Sequence, residues 1–216
     1  MKQTIKIAIP KGYLLESTII LLEKAGYDIS CFSGDNRKLF LYSKKDDIKY
    51  IITRPMDVPV YIESGVCDLG FVGKDVLLET ESNVFELLDL KDGYCRIIIA
   101  TKNDCIEKVK SHYEHFGAIK VATKYTNVTR KYFEKKGMQV EIIKLYGSVE
   151  LAPILGIADE IVDITATGKT MIENDLVEME TVAESTTRLI ANEVSYRVKN
   201  EIIENFINSL KKVINS

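Results

Sequence analysis

Short apolar runs rich in β-branched residues alternate along the chain with stretches whose apolar positions recur every three to four residues. Residues 5–9, 39–42, 48–53, 69–72 and 96–101 read as strands, since Ile, Val, Tyr and Thr suit a pleated, half-buried surface. Residues 14–24 read as a helix closed by Gly26. A short helix is predicted from a cap at Asp57 to Glu63, with Gly65 as its stop, and another opens at Asp75. Ser43-Lys44-Lys45-Asp46-Asp47 lies between two strand runs and predicts a β-hairpin. Beyond His112 the pattern restarts: strand 120–122, helix 128–136 ending at Gly137, strand 140–145, helix 149–155 and strand 161–164. A strand near 189–191 then precedes a final helix. Ile202, Ile203, Phe206, Ile207, Leu210, Val213 and Ile214 make one stripe of that helix. Both charge signs mix on its other face, which predicts core or subunit packing rather than a membrane surface.

Alternation of this kind is the signature of an α/β fold. The restart near residue 118, with no Pro/Gly linker, predicts two α/β lobes with a cleft between them. The expected division is 1–94 plus 180–216 for the first lobe and 95–179 for the second, with the chain crossing near 94–101 and 181–191. Ligands then belong at the carboxyl ends of the strands. A chain of 216 residues buries roughly 70% of its unfolded surface, enough for one large domain or two small lobes. Apolar residues at 46% and charged residues at 28% fit a globular protein, and a net charge of −3 argues against nucleic-acid or anionic-membrane partners. No apolar run approaches the ~20 residues of a membrane span, and the N-terminus passes into a strand without a signal-peptide core, so a cytoplasmic protein is expected. Cys31, Cys67, Cys95 and Cys105 form no CxxC pair, which predicts reduced thiols and no zinc site. His112 and His115 lie in a polar helical stretch and are expected at the surface, with no metal set around them.

The richest chemistry is in Glu160-Ile-Val-Asp-Ile-Thr-Ala-Thr-Gly-Lys-Thr-Met171. An apolar strand ends in a short Thr/Gly/Lys turn, and a helix opens near Thr170. Backbone N–H groups at a helix start, with the helix dipole behind them, favour an anion. Thr165, Thr167 and Thr170 add hydroxyls, Gly168 permits close approach, and Lys169 adds a cation, which is the outline of a phosphate cradle. A Walker A loop is disfavoured, because the position that needs its first glycine is Asp163. An acid there suits sugar hydroxyls or water on a magnesium ion, so a phosphorylated ribose is the indicated ligand. Other strand ends are cationic: Pro10-Lys11-Gly12, Thr53-Arg54-Pro55, Gly73-Lys74-Asp75, Arg37-Lys38 and Lys124-Tyr125-Thr126-Asn127. Singly each reads as a solvated loop or helix start; together they indicate a polyanionic ligand.

The run Glu150-Leu-Ala-Pro-Ile-Leu-Gly156 followed by Ile157-Ala-Asp-Glu-Ile-Val-Asp163 and Ile164-Thr-Ala-Thr-Gly-Lys-Thr-Met171 resembles the signature of the ATP phosphoribosyltransferase family. Ile9-Pro-Lys-Gly12, Arg54-Pro-Met-Asp-Val-Pro59, Cys67-Asp-Leu-Gly-Phe-Val-Gly-Lys-Asp-Val-Leu77, Glu86-Leu-Leu-Asp-Leu90, Ala122-Thr-Lys-Tyr125 and Ile143-Lys-Leu-Tyr-Gly-Ser148 resemble further family blocks, so the likeness covers nearly the whole chain. It implies a fold like the type II periplasmic-binding proteins and a glycosyltransferase (pentosyltransferase) reaction, the first step of histidine biosynthesis. N1 of ATP attacks C1 of phosphoribosyl pyrophosphate and expels pyrophosphate, with Mg²⁺ carried by the substrates.

Transferred to this sequence, the resemblance implies that Glu150, Asp163, Thr165, Ala166, Thr167, Gly168, Lys169 and Thr170 bind the phosphoribosyl donor. Lys11, Arg37 and Arg54 match family cations at the phosphates and take the catalytic role. Lys11, Gly12, Arg54, Gly73 and Asp75 are expected at the ATP, and no dedicated protein metal site is expected. Tyr13 stands where the family often has arginine, a departure that removes one cation. The absence of a third domain resembles the short form of the enzyme, implying a homodimeric core in a hetero-oligomer with a regulatory subunit related to histidyl-tRNA synthetase. Two rival readings are a two-lobed ligand-binding module without chemistry, which usually carries an export signal or DNA-binding domain, and a type I phosphoribosyltransferase. The latter wants two adjacent acids before its loop, whereas Val162 precedes Asp163.

Overall fold

The β-branched runs and the amphipathic helices sort into two sheets, each with its own core. The computed structural model describes residues 4–33 and 38–215, the side chains of Lys110 and Phe116 excepted. The chain begins with β1 (Ile5–Pro10), α1 (Tyr13–Lys24), β2 (Phe40–Ser43), β3 (Ile48–Thr53), α2 (Val58–Glu63), β4 (Leu69–Gly73), α3 (Lys74–Thr80) and β5 (Phe85–Asp89). It continues with β6 (Cys95–Lys102), α4 (Ile106–Phe116), β7 (Ala118–Thr123), α5 (Thr126–Lys135), β8 (Gln139–Lys144), α6 (Leu151–Ile154), β9 (Glu160–Thr165), α7 (Lys169–Glu173) and β10 (Leu176–Ser185). β11 (Thr187–Ala191), α8 (Glu193–Val198) and α9 (Asn200–Ile214) follow. Met1–Gly93 and Thr186–Ser216 form one unit, and Tyr94–Ser185 forms the other.

In the first unit the sheet order is β2-β3-β1-β4-β11-β5. β1 runs parallel to β3 and β4, while β11 is antiparallel to β4 and β5. One face packs Ile7, Ile9, Tyr50, Phe71 and Leu189 against Leu22 of α1 and against Ile203, Phe206, Ile207 and Leu210 of α9. The apolar stripe of the last helix is therefore core. Full burial of each such side chain is worth about 1.5–3 kcal/mol, which ties the end of the chain to the strands at its beginning. The other face packs Ala8, Val72 and Ile190 against Val58, Ile62 and Val76. Gly70 makes that layer possible: a Cβ there would lie 2.9 Å from Val58 Cγ1 and 3.0 Å from Ile62 Cδ1.

In the second unit the order is β10-β6-β9-β7-β8, with β7 parallel to β8 and β9. β6 is antiparallel to both β9 and β10. Ile98, Ala100, Ala122 and Ile161 pack against Val149, Ala152, Met171 and Leu176.

Several details depart from the sequence expectations, among them β5 and α8, which have no counterpart there. The strand β10 has no counterpart in the sequence pattern, because half of its residues are exposed and an edge strand pairs through its backbone without showing an apolar period. The helix expected over 149–155 shrinks to Leu151–Ile154, bracketed by Ser148 and Gly156 at φ +48° and +70°. Asp57 precedes α2 in helical conformation and makes no side-chain cap bond, since a tight turn over Pro55–Asp57 leads into the helix instead. His112 is half-buried rather than at the open surface: its Nδ1 lies 3.0 Å from Asp159 Oδ1, and Asp159 Oδ2 accepts the Lys120 backbone N–H at 2.8 Å. Among the described residues no helix is long and apolar enough to cross a membrane.

Candidate functional site

β9 ends at a buried Thr165 and turns over Ala166 and Thr167 into α7. Two internal bonds shape the turn. Thr165 Oγ1 accepts the Gly168 N–H at 2.9 Å, and Thr167 Oγ1 lies 3.4 Å from the Lys169 nitrogen. Gly168 sits at φ +76°, the left-handed region that L side chains avoid, and so lets the strand swing directly into a helix start. Ala166, Thr167, Lys169 and Thr170 are exposed on this turn. The Lys169 ammonium stands 3.7 Å from Glu173, an exposed i,i+4 pair of little energetic weight.

Two residues back along β9, Asp163 is largely shielded. Its Oδ1 is buried with no hydrogen-bond partner among the described residues. The parallel pairing of β7 with β9 sets Thr123 opposite Val162, so Lys124 emerges beside Asp163, with 3.5 Å between Nζ and Oδ1. Burial pushes the Asp163 carboxyl above its ordinary range; Lys124 opposes that shift, and Glu150, at the start of α6, reinforces it. The arrangement is a shielded acceptor beside an exposed turn of hydroxyls and backbone N–H groups. It suits a ligand with sugar hydroxyls at one end and an anion at the other.

In the first unit, parallel strands align the other predicted residues along one sheet edge. Pro10 pairs with Thr53, and the Lys11 N–H donates to the Thr53 carbonyl at 2.8 Å, so Lys11 and Arg54 leave neighbouring strands at the same level. Both are exposed, and neither has an ion-pair partner among the described residues. Gly12 follows at φ +89° with nothing within 4 Å of a Cβ position, so glycine is required there by conformation alone. Gly73 ends β4 on the same edge, and Asp75 is buried in the first turn of α3. Arg37 lies outside the described residues.

Two residues near these positions carry no site role in the sequence reading. Lys124 had only a generic cationic-loop signal. Arg188 is brought to the carboxyl edge of β4 because β11 runs antiparallel to it; Nη1 lies 3.2 Å from Glu86 and 3.0 Å from Asp89, and Glu86 also pairs with Lys74. Only the pairing of distant strands reveals that network. Among the described residues no group of three or more His, Cys, Asp or Glu is placed to hold a metal ion.

The chain is 46% identical to the ATP phosphoribosyltransferase of Citrifermentans bemidjiense over 214 residues, covering 99% of this chain and all of that protein. The structure of the ATP phosphoribosyl transferase (HisG:HisZ) complex from Thermotoga maritima contains a chain that matches with a TM-score of 0.84 and 38% identity, over 98% of this chain and 99% of that one. The periplasmic aliphatic sulphonate binding protein SsuA of Escherichia coli, only 10% identical, matches with a TM-score of 0.63 over 99% of this chain and 73% of its own, which shows a shared periplasmic-binding-protein-like α/β fold. The HisG family model, ATP phosphoribosyltransferase, matches residues 54–212, and with these relatives it establishes that the chain belongs to the ATP phosphoribosyltransferase family.

Proposed function

We propose that this chain catalyses the first step of histidine biosynthesis by joining C1 of phosphoribosyl pyrophosphate to N1 of ATP, with pyrophosphate leaving. The observation that carries the site assignment is the turn from Asp163 to Thr170, where a shielded carboxylate stands beside a Gly168-led helix start. In this reading the Thr165–Thr170 turn takes the donor's 5′-phosphate, and Asp163, with Glu150 nearby, takes the ribose hydroxyls. Lys11 and Arg54, two exposed cations without carboxylate partners among the described residues, stabilise the charge that develops on the departing pyrophosphate. Arg37 joins them by its resemblance to a family cation. Lys11, Gly12, Arg54, Gly73 and Asp75 line the ATP side.

Displacement at an anomeric carbon needs no covalent nucleophile, so catalysis rests on positioning and electrostatics. Mg²⁺ is assigned to the substrates' phosphates, which supply the hard oxygen ligands that ion prefers, and it would neutralise part of the leaving charge. No protein cage is assigned to it: the phosphates supply the ligands, and the shielded oxygen of Asp163 is left to the ribose hydroxyls. Met1–Gly93 with Thr186–Ser216 is assigned as the unit carrying the cations, and Tyr94–Ser185 as the donor-binding unit. We further infer a cytoplasmic homodimer that joins a histidyl-tRNA-synthetase-like regulatory subunit. The Thermotoga maritima HisG:HisZ complex, whose matching chain is 38% identical over nearly the whole chain, supports the association with a second, different subunit.

The test is incubation of the pure chain, alone and with the regulatory subunit, with ATP, phosphoribosyl pyrophosphate and Mg²⁺. Pyrophosphate release matched one-to-one by an ATP adduct absorbing as an N1-substituted adenine is the expected result. Donor and ATP left intact in both arms would favour a binding module instead.

A further inference from the structure

Beside the donor turn lies a lysine that the reaction as described does not use. We propose that Lys124 is a positioning residue for the ribose-binding carboxylate: it holds the Asp163 side chain in place, so that Asp163 accepts the vicinal hydroxyls of the donor sugar. The inference rests on the reading of the Asp163–Thr170 turn as the donor site.

Three features of the geometry carry it. First, the distance from Lys124 Nζ to Asp163 Oδ1 is 3.5 Å. That is close enough for strong attraction yet longer than a good hydrogen bond, so the lysine leaves the carboxylate's acceptor positions open. Second, Asp163 Oδ1 is buried without a hydrogen-bond partner among the described residues, a state that costs free energy unless a ligand supplies the donor. Third, the lysine is built in rather than draped over the surface. Thr123 Oγ1 donates to the Val162 carbonyl at 2.6 Å and accepts the Tyr125 N–H at 2.8 Å, and Thr129 Oγ1 donates to the Tyr125 carbonyl at 2.7 Å. These buried bonds fix the backbone on both sides of Lys124. Its ammonium also lies 4.9 Å from the centre of the buried Tyr125 ring, confined between an aromatic face and the carboxylate.

The electrostatics agree. Burial and the Glu150 charge both favour a protonated Asp163, and Lys124 is the foremost group opposing them, with a smaller contribution from the Ile164 N–H. A protonated carboxyl would lose one acceptor position and the charge that makes hydrogen bonds to it strong.

The experiment is calorimetric titration of the full chain with ribose 5-phosphate and with 2-deoxyribose 5-phosphate, across pH. It compares wild type with Lys124→Met, Lys124→Gln and Lys124→Arg, after thermal unfolding has shown each variant folded. Wild type should prefer the ribose compound by about tenfold, the worth of one charged hydrogen bond. Both neutral variants should lose that preference while keeping the deoxy affinity, and the loss should lessen as pH rises. Lys124→Arg should retain it. Preference unchanged in the neutral variants at every pH would overturn the proposal, as would equal loss for both sugars, which marks a direct phosphate ligand. Equal binding of the two sugars by wild type would remove the hydroxyl role of Asp163 and the proposal with it. Failure of wild type to bind either sugar would overturn the donor-site reading itself.

Discussion

The backbone N–H of Lys11 donates to the carbonyl of Thr53 at 2.8 Å, which makes the loops leaving β1 and β3 neighbours and sets Lys11 beside Arg54. Further along the same sheet, by β4 and β11, the cations are neutralised: Lys74 and Arg188 share Glu86, and Arg188 also pairs with Asp89. The sheet edge thus separates cations that hold the fold from cations open to a ligand. Unpaired like charges side by side are tolerated where an anion visits.

Arg54→Ala should lower kcat by about 10²–10³ with little change in stability, because it removes one exposed donor to developing charge. Arg54→Lys should recover part of the loss, since lysine keeps the charge but not the planar fork. Steady-state kinetics with purified variants read this directly, and an unaltered kcat in Arg54→Ala would remove the residue from the leaving-group role.

Thr167→Val should raise the KM for the donor about tenfold and spare the KM for ATP, since an exposed hydroxyl on the turn is exchanged for a methyl at nearly constant volume. Equal effects on both substrates would point to distortion of the loop rather than a lost contact.

A Cβ at residue 70 meets Val58 and Ile62 at 2.9 and 3.0 Å, so Gly70→Ala should push α2 off the sheet and cost about 1–3 kcal/mol. Urea unfolding measures it. A variant as stable as wild type would mean that α2 shifts freely, against the packed layer described here.

Glu160, at the amino end of β9, gives a pH signature. Burial, reinforced by Asp159 and opposed by Lys136, pushes its carboxyl from an ordinary 4.5 up to about 7. The folded state then binds the proton more tightly than the unfolded chain. The group's favourable contribution is complete below pH 4.5 and is lost as pH rises towards about 7. By pH 8 the penalty is roughly 3 kcal/mol. Glu160→Gln should therefore stabilise the protein at pH 8 and change little at pH 4, as read from unfolding midpoints. A gain of equal size at both pH values would contradict the burial of an ionisable group there.

Much of the fold was legible because most strands bury at least one face. Ile5, Ile7 and Ile9, Tyr50 and Ile52, and Ile97 to Ile99 advertise their burial in the sequence itself. Where burial is absent the signal fails, as along β10, whose middle is exposed. The sequence overstates the helix around Pro153, because apolar residues at helical spacing persist beyond Ile154 while the positive φ at Gly156 ends the turn. The Asp163–Thr170 turn could be seen because its residues are consecutive and form a recognisable family block. The Lys124–Asp163 approach could not, since it depends on β7 lying parallel to β9, a pairing across 39 residues of chain. The same holds for Arg188, whose partners Glu86 and Asp89 are brought near by an antiparallel strand roughly a hundred residues on.

The central claim is that the donor's phosphate end is taken by the bend that follows β9. Amide NMR of isotopically labelled full-length chain during addition of ribose 5-phosphate tests it most directly. The account predicts saturable shifts concentrated on Thr165, Ala166, Thr167, Gly168, Lys169 and Thr170, with Asp163 and Lys124 following. Shifts confined to Lys11, Gly12 and Arg54, with the bend silent at saturation, would contradict it.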